Sequence, residues 1–279
     1  MGLEPLMRRV EELVSIKRVK LGFGLQGPDT EILQSLKVSS RYADITLVGP
    51  PAISGVRGFP VLVDERPEER LAATLVNGDV EGIVRGTIDD FKTREAYTKL
   101  TGEPVTTEIS LLEDPTGRQF FVAPLSNPEG WTKEERLHIT VAHATSIADW
   151  GVVPDIAVFS GMRHETYQRK KDVQQGITNT LVKTYQDAEW IVAELSRQGF
   201  SAKHWAIDLN LAVEAGANIL IPVNGMVGNQ IFRVLLFCGG KVLTATPLGL
   251  SHFYEDCSRT EKNFAFHVKW ITAQINKGK

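Results

Sequence analysis

The stretch "ILIPVNGMVGNQIFRVLLFCGG" (residues 219–240) runs from strand-forming residues through Asn-Gly and Gly-Asn directly into a helical pattern. A strand that feeds a helix across so short a turn is the repeating step of α/β proteins. Backbone N–H groups at such a helix start are unpaired and carry partial positive charge, so Asn224, Gly225, Gly228 and Asn229 form a candidate backbone site for an anion. The other reading is a tight turn with glycine where φ must be positive. Both stay open on the sequence alone.

The same alternation extends outward in both directions. "VKLGFG" (19–24), "DITLVG" (44–49), "FPVLVD" (59–64) and "EGIVRG" (81–86) are short apolar runs, with helical patterns such as "PEERLAATLVN" and "DDFKTREAYTKL" among them. Further on come "DIAVFS" (155–160), a helical pattern from about Gln175 to Gln198, "HWAIDL" (204–209) and "ANILIPV" (217–223). Thr132 and Glu135 form a capping box ahead of another helix. The segment "TTEISLLEDPTGRQFFVAPLS" (106–126) reads as an antiparallel hairpin around Asp-Pro-Thr-Gly. The pattern predicts an α/β fold with mostly parallel sheets. It is divided into a first α/β/α domain of residues 1–130 plus 250–279 and a second of residues 131–249, with the hairpin as boundary marker.

Composition narrows the function class. The 279 residues are 42% hydrophobic and 23% charged, with a net charge of -3. That profile is globular, and its charge argues against a nucleic-acid partner. Two cysteines, Cys238 and Cys257, are too few for a disulfide framework, which fits a reducing cytoplasm. Six histidines form no zinc-binding spacing, so no metal is expected. No apolar run approaches bilayer-spanning length, and the N-terminus reads as an amphipathic helix; a membrane association is not expected.

Three more stretches carry candidate chemistry. "SGMRHETYQRKK" (160–171) follows a strand and gathers Ser160, Arg163, His164, Arg169, Lys170 and Lys171, either as an anion-binding loop or as a solvated charge run. "VRGTIDDFKTR" (84–94) offers Arg85, Thr87 and Lys92 beside aspartates that capping explains by itself. "HFYEDCSRTEKN" (252–263) contains Ser258, Arg259 and Glu261, while Cys257 has no histidine placed by sequence as its base. "GFGLQG" (22–27) matches a dinucleotide fingerprint superficially, but Asp44 would begin the next strand instead of ending it.

Taken in order, "GIVRGTIDDFK", "DIAVFSGMRHET", "IPVNGMVGNQIFRVLLFCGG" and "TPLGLSHFYEDCSRT" resemble the phosphate acetyl/butyryltransferase family over roughly residues 80–265. The resemblance implies two α/β/α domains with a cleft between them, commonly in a homodimer. It also implies acyl transfer between phosphate and the thiol of coenzyme A or another thiol coenzyme. Ser258 and Arg259 would contact the acyl phosphate, and Thr87 and the Asn224–Asn229 turn would line the cleft. The chain departs from the family where Lys92 replaces an arginine, where Arg85 and Gly86 replace a histidine, and where the thiol-deprotonating aspartate falls near Phe264 or Ala265. Glu261 is the nearest substitute acid.

"VRGT", "FSGMRHET", "PVNGMVGNQIFR" and "PLGLSHFYEDCSR" resemble more closely a divergent branch of that fold, the family called methanogenesis marker protein 4 or methyltransferase subunit X. Membership implies a cytoplasmic archaeal protein tied to methanogenesis, with methyltransferase partner subunits and a small anionic ligand. A transferase is one expectation, and an accessory subunit that senses a ligand without catalysis is the other.

Overall fold

The computed structural model describes residues 3–126, 129–258 and 260–278. In chain order the first elements are α1 (Glu4–Val14), β1 (Val19–Gly24), α2 (Thr30–Ser39), β2 (Ala43–Gly49), β3 (Val61–Val63), α3 (Pro67–Val76), β4 (Gly82–Val84) and α4 (Asp90–Thr101). The hairpin comes next as β5 (Glu108–Glu113) and β6 (Gln119–Val122), then α5 (Lys133–Ala148), β7 (Asp155–Val158), α6 (His164–Lys170) and α7 (Gly176–Arg197). The chain ends with β8 (Ser201–His204), α8 (Leu209–Glu214), β9 (Ile219–Ile221), α9 (Gly225–Phe237), β10 (Lys241–Pro247), β11 (Phe253–Glu255) and α10 (Ala265–Lys277).

Two compact units result: Met7–Thr106 with Val242–Lys279, and Met1–Leu6 with Thr107–Lys241. The chain therefore changes unit at 6/7, 106/107 and 241/242, not at 130/131 and 249/250. The reason lies in the hairpin, whose strand β6 pairs with β9 through Phe121↔Ile219 and so belongs wholly to the unit of residues 107–241.

The first of these units has the parallel sheet β11-β4-β1-β2-β3. Alternation along β1 sends Val19, Leu21 and Phe23 to one face, where they meet Ile32 and Leu36 of α2 and Val268, Ile271 and Ile275 of α10. On the other face Ile83 and Val48 meet Leu71 and Leu75 of α3 and Ala96 and Tyr97 of α4. Gly22 faces α3; a Cβ there would lie 2.9 Å from Leu71 Cδ1, so glycine sets how closely the helix approaches. Each fully buried Leu, Ile or Phe in these layers stabilises by about 1.5–3 kcal/mol.

In the second unit the strands run β5-β6-β9-β7-β8, parallel except for the β5–β6 hairpin. Helix α7 buries Val182, Tyr185, Ala188, Ile191 and Leu195, a stripe at helical spacing. The strand expected at 204–209 is displaced: β8 ends at His204, and Ala206 turns the chain with φ 52°. Asp44 is the second residue of β2, so the acid a dinucleotide site would need at a strand end is at a strand start.

Each sheet contains one strand whose chain neighbours leave in opposite directions. β1 lies between β2 and β4, and β7 lies between β8 and β9. Such switch points open crevices at the carboxyl ends of parallel strands, which is where α/β folds collect ligands. The loops after β1 and β4 flank one crevice, and those after β7 and β9 flank the other.

Candidate functional site

At the first crevice the deciding side chain is Arg85, directly after β4. It is 1% exposed, and all three of its nitrogens are engaged within the protein. Nε donates to Asp256, Nη1 to the carbonyls of Gly86 (3.0 Å) and Ile88 (2.9 Å), and Nη2 to the Cys257 carbonyl. Asp256 is itself buried, and its second oxygen accepts from Arg94 Nη2 at 2.6 Å. Arg94 also pairs with Asp90, four residues earlier on α4. Arg85 is thus not a guanidinium held out to a ligand, as the stretch 84–94 suggested. It ties the loop after β4 to the loop after β11.

Thr87 and Ser258 sit on the two tied loops. The Thr87 amide donates to the Gly24 carbonyl (2.8 Å), and its hydroxyl accepts from the Gln26 amide (2.9 Å), retaining a proton for a further acceptor. Gly24 permits this closeness, since a Cβ there would lie 2.2 Å from the Arg85 carbonyl. Ser258, 8% exposed, shares a hydrogen bond with Thr260 Oγ1 at 3.0 Å. Lys92 is exposed in the first turn of α4, where Asp89 caps its amide. Arg259 lies outside the described residues.

Glu261 and Cys257 are both committed locally. Glu261 Oε1 accepts from the amides of Lys262 (2.9 Å) and Asn263 (2.8 Å), folding its own turn. The Cys257 thiol donates to the Gly86 carbonyl, and burial pushes its pKa well above the ordinary thiol value. It is no nucleophile.

In the unit of residues 107–241, the turn at 224–229 is held by its own hydrogen bonds. Asn224 Oδ1 caps the Val227 amide (3.0 Å), the Gly225 amide donates to the Glu129 carbonyl (2.8 Å), and the Gly228 amide donates to the Asn224 carbonyl (3.0 Å). Asn229 Nδ2 donates to the Leu125 carbonyl at 3.1 Å. Helix α9 therefore begins at Gly225, within the Asn-Gly turn itself, with most of its first-turn donors already used. Neither Gly225 nor Gly228 has a positive φ. Both are required by close approach, because a Cβ would lie 1.8 Å from the Ser126 carbonyl at Gly225 and 2.0 Å from the Pro124 carbonyl at Gly228.

Across the same crevice lies Ser160. Its hydroxyl is 2.9 Å from His204 Nε2 and 3.2 Å from the Met162 carbonyl. His204 Nδ1 pairs with Glu189 of α7. Arg163 is exposed at the start of α6, and His164 Nδ1 meets the Tyr185 hydroxyl at 2.6 Å. The candidate residues thus divide between the units: Arg85, Thr87, Lys92, Ser258 and Glu261 in one, and Ser160, Arg163 and the 224–229 turn in the other. Asp256, Arg94, His204 and Glu189 did not stand out in the sequence, since each acquires its partner only on folding.

Known proteins share this architecture. A branched-chain phosphotransacylase from Enterococcus faecalis superposes with a TM-score of 0.67 at 15% identity, covering 91% of this chain and 99% of that one. A phosphotransacetylase from Streptococcus pyogenes superposes with a TM-score of 0.65 at 14% identity, over 100% of both chains. The chain has the phosphotransacetylase fold. A Methanosarcina mazei protein described as "Putative methyltransferase mtx subunit X" is 29% identical over 279 residues, covering 98% of this chain and 96% of its own length. A Methanosarcina barkeri protein of the same description is 28% identical over 267 residues, covering 93% and 95%. The chain is similar to these subunit X proteins over nearly their whole length. No protein-family model matches it. Among the described residues no helix is long and apolar enough to cross a membrane, and no cluster of three or more His, Cys, Asp or Glu could hold a metal ion.

The packing account of the 224–229 turn makes a direct comparison available. Gly228→Ala forces backbone to move and should destabilise by about 1–3 kcal/mol, the ordinary range for overpacking. Gly55→Ala, where an added Cβ meets nothing within 4 Å, should be neutral or slightly stabilising. Urea unfolding midpoints of the two variants decide the matter; equal midpoints would remove the close-approach explanation.

Proposed function

We propose that this chain is a transferase-related subunit of an archaeal, cytoplasmic methyl-transfer system serving methanogenesis. Its loops after β1, β4 and β11 bind a small anionic ligand that bears a phosphate or a thiol, of which coenzyme A is one example. The observation that carries this reading is the placement of Thr87 and Ser258 at matching positions on two loops that Arg85 ties together. Each lies three residues beyond a paired position of adjacent parallel strands (Val84↔Glu255). The Arg85–Asp256–Arg94 linkage beneath them holds the two loops in place before a ligand arrives, which lowers the ordering cost of binding. Lys92 and Arg259 supply the positive charge, since Arg85 is already neutralised by Asp256.

A second reading, a ligand-sensing accessory subunit without catalysis, is favoured by Glu261. A thiol base must reach the thiol it deprotonates, and this carboxylate spends an oxygen on two amides of its own turn. Under either reading the molecule acts as a homodimer. Helix α9 buries only its two glycines, while Met226, Val234 and Phe237 are 46%, 59% and 92% exposed.

Thermal unfolding with phosphate, acetyl phosphate, coenzyme A and coenzyme M tests the binding claim. A ligand at about 100 times its dissociation constant adds about 2.7 kcal/mol to the native state. The stabilisation should be lost in Arg259→Ala and reduced in Lys92→Ala. Absence of a shift with all four compounds would overturn the site, and a shift without any acyl or methyl transfer would select the accessory reading. Sedimentation equilibrium should show two copies for the unaltered chain and one for Phe237→Asp; a monomeric unaltered chain would contradict the dimer.

A further inference from the structure

The unit of residues 107–241 carries a second arrangement that ligand binding at Thr87 and Ser258 leaves unused. Three side chains from separate elements meet at the carboxyl end of β7. Ser160 Oγ lies 2.9 Å from His204 Nε2, and the opposite nitrogen of the same ring is held by Glu189. A hydroxyl within hydrogen-bond reach of an imidazole, itself oriented by a carboxylate, is the signature of an activated serine, recognised by geometry and not by order in the chain. We propose that Ser160, His204 and Glu189 form a nucleophilic relay that accepts an acyl group from an ester or thioester.

The surroundings fit that role. Ser160 follows β7 at the switch point between β7 and β9, where α/β sheets place ligands, and it is 3% exposed. Its backbone is fixed on both sides: the Ser160 amide donates to the Ala206 carbonyl (2.8 Å), and the Gly161 amide donates to Thr184 Oγ1 (2.9 Å). Ala206, with φ 52°, turns the chain directly after His204. Tyr185 packs edge-on against the His204 ring at 4.3 Å between centroids, and Tyr167 stacks on Tyr185 at 3.9 Å, so the imidazole is held by packing as well as by Glu189. Burial and the nearby Arg136 charge lower the His204 pKa, leaving the neutral ring a general base requires, although Glu189 opposes the shift. Arg136, 2% exposed, donates to the Phe159 carbonyl at 2.9 Å and so holds the residue before the serine.

The chemistry balances with water alone. Ser160 Oγ bonds to the acyl carbon while His204 takes the hydroxyl proton, and the C–O or C–S bond breaks as that proton passes to the leaving alcohol or thiol. Water then repeats the exchange, releasing the carboxylic acid and restoring the serine.

The test uses a fluorophosphonate, which phosphonylates activated serines and releases fluoride, read by mass spectrometry of the folded full-length chain. Ser160 should gain one phosphonyl group in the native protein and none after denaturation. His204→Gln should slow the labelling about 100-fold, the lower range for loss of a general base. Glu189→Gln, at an exposed position that folding tolerates, should slow it about 10-fold, and it decides the question if the histidine variant does not fold. No adduct at Ser160, or equal labelling rates in the unaltered chain and both variants, would overturn the relay. The assay needs neither phosphate nor coenzyme, so its result is independent of ligand binding at Thr87 and Ser258.

Discussion

Arg85 and Asp256 form the interaction on which the unit of residues 7–106 and 242–279 depends. Both are buried, and each alone would be costly: an uncompensated charge removed from water is worth several kcal/mol against folding. Together with Arg94 and Asp90 they form an alternating set of charges, and the remaining Arg85 donors are used by carbonyls of the two loops they join. The strand β11 is only three residues long and lies at the sheet edge, so ladder hydrogen bonds do little to hold the loop that carries Ser258. The ion pair supplies that restraint. Glu255, next to Asp256, adds another buried anchor by accepting from Thr244 Oγ1 (2.6 Å), Thr246 Oγ1 (2.6 Å) and His267 Nδ1 (2.8 Å).

The two units solve the same problem with different means. In one, charge pairing fixes the loops around the switch point between β1 and β4. In the other, backbone contacts do so: Gly225 and Gly228 let α9 press against Pro124 and Ser126, and the Gly161 and Ser160 amides pin the loop after β7. A preorganised loop loses less freedom when it meets a ligand, and both crevices are built in this manner. The hydroxyls of Thr87 and Ser258, and the Ser160–His204 pair, are then side chains on frames already set.

Much of the fold was legible because alternating and helical periodicities are local. β1 runs over the residues its pattern predicts, the hairpin pairs as expected, and Thr132 caps α5 through the Glu135 amide at 3.1 Å. β8 was misplaced because a left-handed alanine is invisible in an apolar run. The site was legible only as a set of segments. Arg85 beside a glycine and a threonine looks like a phosphate arginine, yet its anion is Asp256, 171 residues away. The glycines at 225 and 228 suggested either an anion nest or positive φ, and close backbone approach was the third cause that no spacing reveals. His204 and Glu189, 15 residues apart on a strand and a helix, become partners of Ser160 only once α7 packs beside β8.

The central claim is that the buried ion pair, and not the strand ladder, holds the loops that carry Thr87 and Ser258. The unfolding free energy of Asp256→Ala, from urea titration, tests it most directly. Leaving Arg85 buried without its carboxylate should cost about 3–5 kcal/mol. A loss below about 0.5 kcal/mol, the level of an ordinary surface substitution, would contradict the account.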